Sequence, residues 1–207
     1  MTKVAVVNQL DHLVLATPDL PATVAMVTRA LGVSPVEGGR HVGRGTRNFL
    51  LGLGDGGYLE IIGIDADQPA PRAPRPFLVD YVTEPRLVTW AVRVSDIDAT
   101  VAEARTGGYD PGSIADMSRQ APDGQTLSWR LTGSRDVVPF LIDWGSTAHP
   151  SESLPQARLR TLDAVHPDPV ATIARLRALW VELGVRPGIR PGLIAVLDGP
   201  HGSLTLL

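Results

Sequence analysis

Asp19-Leu20-Pro21-Ala22-Thr23-Val24-Ala25 returns twice in this chain, as Asp96-Ile97-Asp98-Ala99-Thr100-Val101-Ala102 and as Asp168-Pro169-Val170-Ala171-Thr172-Ile173-Ala174. The shared pattern is Asp-x-x-Ala-Thr-[Val/Ile]-Ala, and the copies begin 77 and then 72 residues apart. Each copy follows an apolar run: Leu10 to Ala16, Leu87 to Val94, and Leu159 to Val165. Each is followed by a helix-like stretch that stops at glycine: Gly32, Gly107-Gly108 and Gly184. The unit therefore reads as strand, Asp N-cap, helix and Gly C-cap, repeated. An Asp at that place accepts hydrogen bonds from the free amides of the first turn, and its charge suits the positive end of the helix dipole. Small Ala and Thr side chains let those turns lie close to a sheet.

Working outward, the first unit reads as βαβββ and spans 8–64. Leu10 to Ala16 is a buried strand and the helix runs from about Leu20 to Leu31. Gly38 to Gly45 is turn-rich, and strands follow at Thr46 to Leu53 and Tyr58 to Ile64 around the hairpin turn Gly54-Asp55-Gly56-Gly57. A proline-rich connector occupies 65–84. The second unit, 85–145, has a strand through Val94, a helix from about Ile97 to Arg105, a turn at Asp123-Gly124, an alternating strand Gln125 to Leu131 and a closing strand Val138 to Trp144. A polar connector at 146–158 leads to the third unit, 159–207. Its helix is expected from about Pro169 to Leu183, and it reads as a partial βαββ module, one strand short. The expected fold is α+β: paired βαβββ modules forming a curled mixed sheet of half-barrels, with the third module partial.

Composition narrows the function. The chain has 207 residues, 43% hydrophobic and 20% charged, ordinary proportions for a globular protein. No apolar run reaches the ~18 residues of a membrane span. Met1 to Asn8 lacks a full signal-peptide core, so the chain is read as mature and cytoplasmic. Cysteine is absent, which excludes disulfides, thiolate catalysis and Cys-ligated metals. The net charge of −3 gives no case for nucleic acid. Lys3 is the only lysine, so no catalytic lysine lies further along. No P-loop, dinucleotide fingerprint or Gly-x-Ser-x-Gly elbow occurs.

Several polar residues stand in apolar surroundings. His12 lies in the middle of a buried strand, where a lone histidine is ordinarily a satisfied core residue. Glu60 sits between Leu59 and Ile61; it is either paired, metal-bound or turned to solvent. Around His41, Arg40, Arg44, Arg47 and Asn48 are interleaved with glycine, and Thr46 and Asn48 share one strand face. These residues are able to hold a carbonyl, carboxylate or phosphate, or to form a solvated hairpin. Trp129 and Trp144 wall a pocket or pack in the core. His149, His166 and His201 sit at turns or element ends, where surface histidine is the default.

Gly39-Arg40-His41-Val42-Gly43-Arg44-Gly45-Thr46-Arg47-Asn48, Tyr58-Leu59-Glu60-Ile61-Ile62 and Pro139-Phe140-Leu141-Ile142-Asp143-Trp144, set in paired βαβββ modules, resemble the glyoxalase-like branch of the vicinal oxygen chelate superfamily. That superfamily includes glyoxalase I, extradiol dioxygenases, methylmalonyl-CoA epimerase and metal-free antibiotic-binding proteins. The resemblance runs from about Leu10 to Trp144. It implies a cleft enclosed by two modules and, in metal-dependent members, one ligand from the first and one from the last strand of each module. It places metal ligands at His12 and Glu60, and catalysis at Glu60 and Asp143, with Asp143 either standing for the second carboxylate or serving as a capping or turn residue before Gly145. Substrate contacts fall to His41, Arg44, Thr46, Arg47, Asn48 and Trp129. Seven residues before Asp96 stands Thr89 rather than histidine, and the third unit has Thr161 and Thr205 near its ligand positions.

The function implied is a divalent-metal-assisted lyase or isomerase acting on a small oxygenated metabolite. The metal is Mg, Mn, Zn, Ni or Fe, completed by water and substrate oxygens. A metal-free small-molecule binding or resistance protein is the alternative. Partners are then a small molecule, with no nucleic acid or membrane, and a homodimer is left open.

Overall fold

The structure, a computed structural model, describes residues 9–207. The reading of Met1 to Asn8 lies outside the described residues. Two βαβββ modules form one closed barrel. The first comprises β1 (Gln9–Ala16), α1 (Leu20–Leu31), β2 (Val36–His41), β3 (Thr46–Gly54) and β4 (Gly57–Ile64). The second comprises β5 (Arg86–Arg93), α2 (Ile97–Thr106), β6 (Ala115–Gln120), β7 (Thr126–Leu131) and β8 (Phe140–Asp143). The strands run in the order β1-β4-β3-β2-β6-β7-β8-β5 around the barrel. Each module pairs its first strand parallel to its last, β1 with β4 and β5 with β8. The modules join where β1 meets β5 antiparallel and where Arg40 on β2 faces Gln120 on β6.

The repeated Asp does in all three units what its chemistry dictates. Asp19, Asp96 and Asp168 accept from the amides of Ala22, Ala99 and Ala171 at 3.0, 2.9 and 3.0 Å. The stops differ. Gly32 closes α1 in the left-handed region at φ 73°. The third helix, α3 (Pro169–Ala178), is shorter than expected because Trp180 takes a left-handed φ of 54° and ends it well before Gly184. Gly184 instead opens a short strand.

That strand makes the third unit fuller than expected. Four strands, β9 (Arg158–His166), β10 (Gly184–Pro187), β11 (Gly192–Gly199) and β12 (Gly202–Leu206), form a second sheet in the order β10-β9-β11-β12. β10 carries no apolar alternation, only Gly-Val-Arg-Pro, and so gave no strand signal. The pairing also departs from that of the two modules, since β9 lies parallel to β10 and antiparallel to β11. The second sheet docks on the outside of the barrel, against α1. His201 N donates to Leu31 O at 3.2 Å, and Leu87 N to Leu207 O at 2.6 Å.

Two apolar cores follow. Leu13 and Leu15 on the outer face of β1 pack with Val27 and Leu31 of α1 and with Leu193, Ala195 and Leu197 of β11. Val14, Ala16, Ile62, Ala91, Phe140 and Ile142 fill the barrel interior. The alternation of β1 thus feeds both cores, and every residue from Asp11 to Ala16 is buried. No helix among the described residues is long and apolar enough to cross a membrane.

The docked sheet relies on a close approach. A Cβ on Gly199 collides with the Leu31 backbone, whereas one on Gly133 meets nothing. Gly199→Ala is expected to lower stability by about 1–3 kcal/mol in urea unfolding, the range for overpacking. Gly133→Ala, by the same measurement, leaves the midpoint nearly unchanged.

Candidate functional site in the barrel interior

The site begins with an irregularity in β1. Pairing with β5 shifts register between Leu10 and His12, so Asp11 is the extra residue of a bulge. Asp11 is fully buried. Its Oδ1 lies 2.5 Å from His12 Nδ1, and its Oδ2 accepts from Trp144 Nε1 at 2.9 Å and His149 Nε2 at 2.9 Å. Burial pushes the Asp11 carboxyl up, but its hydrogen bonds and electrostatic attraction to His12 and His149 outweigh it, and the group is held well below the usual carboxylate range. With Nδ1 given to Asp11, His12 turns Nε2 toward Glu60.

Glu60 is buried on β4. Asn48 Nδ2 donates to its Oε1 at 2.6 Å. His12 Nε2 stands 3.7 Å from Oε2, and His41 Nε2 stands 3.9 Å from Oε1. His41 is fixed from behind by Thr46 Oγ1, 3.0 Å from its Nδ1. Burial lowers the pKa of His41, with Glu60 opposing that shift, so its neutral form is favoured at neutral pH. The His12 ring stacks on Tyr58 at 4.8 Å and meets Phe140 edge-on at 5.4 Å. Burial drives the Tyr58 hydroxyl well above its ordinary value, so it stays protonated.

These groups open on one cavity, walled by Phe77, Met117, Trp129, Phe140, Ile142 and Trp144. It is small, about 30 Å³, room for two or so water molecules at roughly 10–15 Å³ each. Phe77, in the 3-10 turn Pro76–Leu78, lies over Phe140 with ring centroids 5.7 Å apart. Phe77 and Leu78 both hold left-handed φ values, 57° and 59°, a strained arrangement for bulky side chains. No residue of the third unit lines the cavity. Among the described residues one cation does: Arg119, from β6.

The structure thus brings together His12, His41, Asn48, Glu60 and Trp129, with Thr46 directly behind His41. Three expected residues stand elsewhere. Asp143 accepts from the amides of Ile97 at 3.2 Å and Gly145 at 2.9 Å, steadying the start of α2 and the following turn. Arg47 is engaged with Glu37 at 2.5 Å, and Arg44 reaches Met117 Sδ at 3.5 Å from the surface. The arginine in the cavity is Arg119 instead, on a strand without apolar alternation. Its signal was positional: it lies four residues before the Asp123-Gly124 turn, two from Met117, on the face that alternation carries inward. His149, expected at the surface, is drawn to Asp11.

The family resemblance implies a divalent metal held from matching positions of the two modules. Val14, five residues before Asp19, pairs with Glu60; Ala91, five before Asp96, pairs with Phe140. Phe140, not Asp143, is therefore the second module's counterpart of Glu60, and Thr89 that of His12. Neither supplies an ionised or imidazole donor. Among the described residues no group of three or more His, Cys, Asp or Glu is arranged to hold a metal ion. Arg119 adds a positive charge to the same cavity, where a second cation is disfavoured. The residues present do not fit the group.

A mixed α+β barrel of paired βαβββ modules with a His–Glu site inside is the class this architecture defines. The chain belongs to the glyoxalase-like domain family, whose model matches residues 10–180. Among solved structures, a hypothetical protein from Staphylococcus aureus is 14% identical, with a TM-score of 0.62, covering 95% of this chain and 84% of that one. Methylmalonyl-CoA epimerase from Mycobacterium tuberculosis is 22% identical with a TM-score of 0.45, covering 69% and 92%. A hypothetical protein from Bacillus halodurans C-125 is 14% identical with a TM-score of 0.48, covering 69% and 98%. No curated protein matches the chain.

Asp11→Asn is expected to lower stability by about 3–5 kcal/mol, the cost of leaving buried partners of a charge uncompensated. Because the folded-state pKa is depressed, the Asp11 contribution is full above the ordinary carboxylate value of 3.8. It is lost as the pH falls from there toward the depressed value. Urea unfolding of wild type and variant across acid pH checks both: the gap narrows as the pH falls.

Proposed function

We propose that the barrel interior takes up a small oxygenated molecule and moves a proton on it, the work of an isomerase or lyase, with Glu60 as the base. One observation carries the reading: a buried carboxylate held on one oxygen by Asn48 and flanked on both sides by imidazole nitrogens. A carboxylate so placed is oriented without being neutralised by a close ion pair, and it works where little water competes.

The roles follow from position. Glu60 removes a proton from a carbon next to a carbonyl. His12, its other nitrogen fixed by Asp11, and neutral His41 stand ready to give or take a proton at the substrate oxygen. Tyr58, kept protonated, supports the His12 ring rather than the chemistry. The aromatic wall excludes water, and Phe77 shifts to admit a substrate larger than the cavity of about 30 Å³. No step runs through a metal. A second reading, binding without turnover, is favoured by the tight closure of Phe77 over Phe140.

Exchange of solvent deuterium into the carbon next to the carbonyl, followed by proton NMR with hydroxyacetone and 2-oxobutyrate, tests the proposal. Wild type is expected to speed exchange of at least one of them, and Glu60→Gln to lose roughly 100-fold or more of that rate. Exchange at the buffer rate with both, or a rate unchanged in Glu60→Gln, rejects Glu60 as the base and leaves the binding reading.

A further inference from the structure

Among the described cavity residues, Arg119 is the one whose charge has no answer. Only 6% of it is exposed. Its Nη1 is buried without a hydrogen-bond partner, and it forms no ion pair with a described carboxylate. Neighbouring pairs show what this chain does with its other arginines: Arg40 meets Asp67 at 2.6 Å, Arg75 meets Asp80 at 2.6 Å, and Arg130 meets Asp98 at 2.6 Å, all toward the surface. Burial works against the Arg119 charge, with only longer-range relief from Glu60. The backbone makes room for it. Gly39, at φ 139°, faces Gln120 O and Arg119, and a Cβ there lies 3.1 Å from Nη1 and in collision with the Gln120 carbonyl.

We propose that Arg119 is the anchor of a monocarboxylate. The barrel interior takes a compact carboxylic acid whose head lies on this guanidinium and whose apolar body lies against Trp129, Phe140 and Trp144. A desolvated guanidinium is poorly stable alone and strongly favours a planar oxyanion. The charge count selects the class. One guanidinium neutralises one carboxylate. A phosphate dianion meets the same single cation with Glu60 in the same cavity, and is left with excess negative charge. An uncharged carbonyl compound leaves Arg119 unanswered.

The two modules then have different tasks. The first brings the base, Glu60, and its histidines; the second brings the anchor and most of the wall. This inference rests on the proton-transfer reading only for the orientation of the acid, with the carbon next to its carbonyl facing Glu60.

The test is calorimetric titration of the intact chain with 2-oxobutyrate and benzoate. Methyl 2-oxobutyrate and n-propyl phosphate serve as uncharged and dianionic controls. At least one acid is expected to bind, and both controls to bind more weakly. Arg119→Gln is expected to weaken the acid roughly 10- to 100-fold, the size of a lost charged hydrogen-bond pair, while Arg119→Lys keeps part of the affinity. Ligand-free Arg119→Gln is expected to melt at the same temperature or higher, because an unanswered buried charge has been removed. A merely structural arginine gives the opposite shift. Failure of both acids to bind, equal binding of the ester or the phosphate, or acid affinity unchanged in Arg119→Gln overturns the proposal. Acid binding that depends on Arg119, without Glu60-dependent exchange, leaves the anchor standing and removes the proton-transfer reading.

Discussion

A single carboxylate with no access to water sets the terms for the site. Asp11, displaced from the ladder by the bulge in β1, is tied to His12, Trp144 and His149. Those partners come from β1 itself, from the residue just after β8, and from the segment beyond it. The first strand of one module is thereby fastened to the exit of the other. An ionised group inside a protein survives only when its hydrogen-bonding capacity is met. Meeting it fixes the tautomer of His12, which in turn decides what faces Glu60. Stability and site geometry are therefore one constraint here.

The barrel shows how a duplicated unit comes to hold unlike halves. Backbone pairing is preserved, with β1 parallel to β4 and β5 parallel to β8. Side chains at matching positions have diverged: His12 against Thr89 and Glu60 against Phe140. A symmetric set would place four polar donors around one point. The observed set places acid–base groups on one side, and a guanidinium with aromatic rings on the other. Charge of both signs thus shares a cavity of about 30 Å³ without close ion pairing between Glu60 and Arg119.

The modular fold was legible because its signals are local. An Asp cap followed by Ala-Thr acts within one turn of helix, and all three copies cap as their chemistry requires. His12 and Glu60 were legible for a related reason: a polar residue inside an apolar strand needs an explanation, and here they share one cavity with His41 and Asn48. What stayed hidden depends on distance or register. Asp11 next to His12 reads as the opposite strand face until a bulge is seen. Arg119 lies on a strand, Ala-Asp-Met-Ser-Arg-Gln, with no apolar rhythm. Asp143 resembles Glu60 in its flanking residues, yet three positions separate it from the true counterpart Phe140, and backbone amides hold it. α3 ended early through the left-handed turn at Trp180, which no glycine announced.

A site that works through its own side chains holds no divalent ion of its own. Elemental analysis of the purified chain beside His12→Ala, after incubation of each with Mg²⁺, Mn²⁺, Zn²⁺, Ni²⁺ and Fe²⁺ and removal of free ions, tests it most directly. Well under one divalent ion per chain in both proteins is the predicted result. One tightly held ion per chain in wild type, lost in His12→Ala, contradicts it and makes the barrel interior a metal centre.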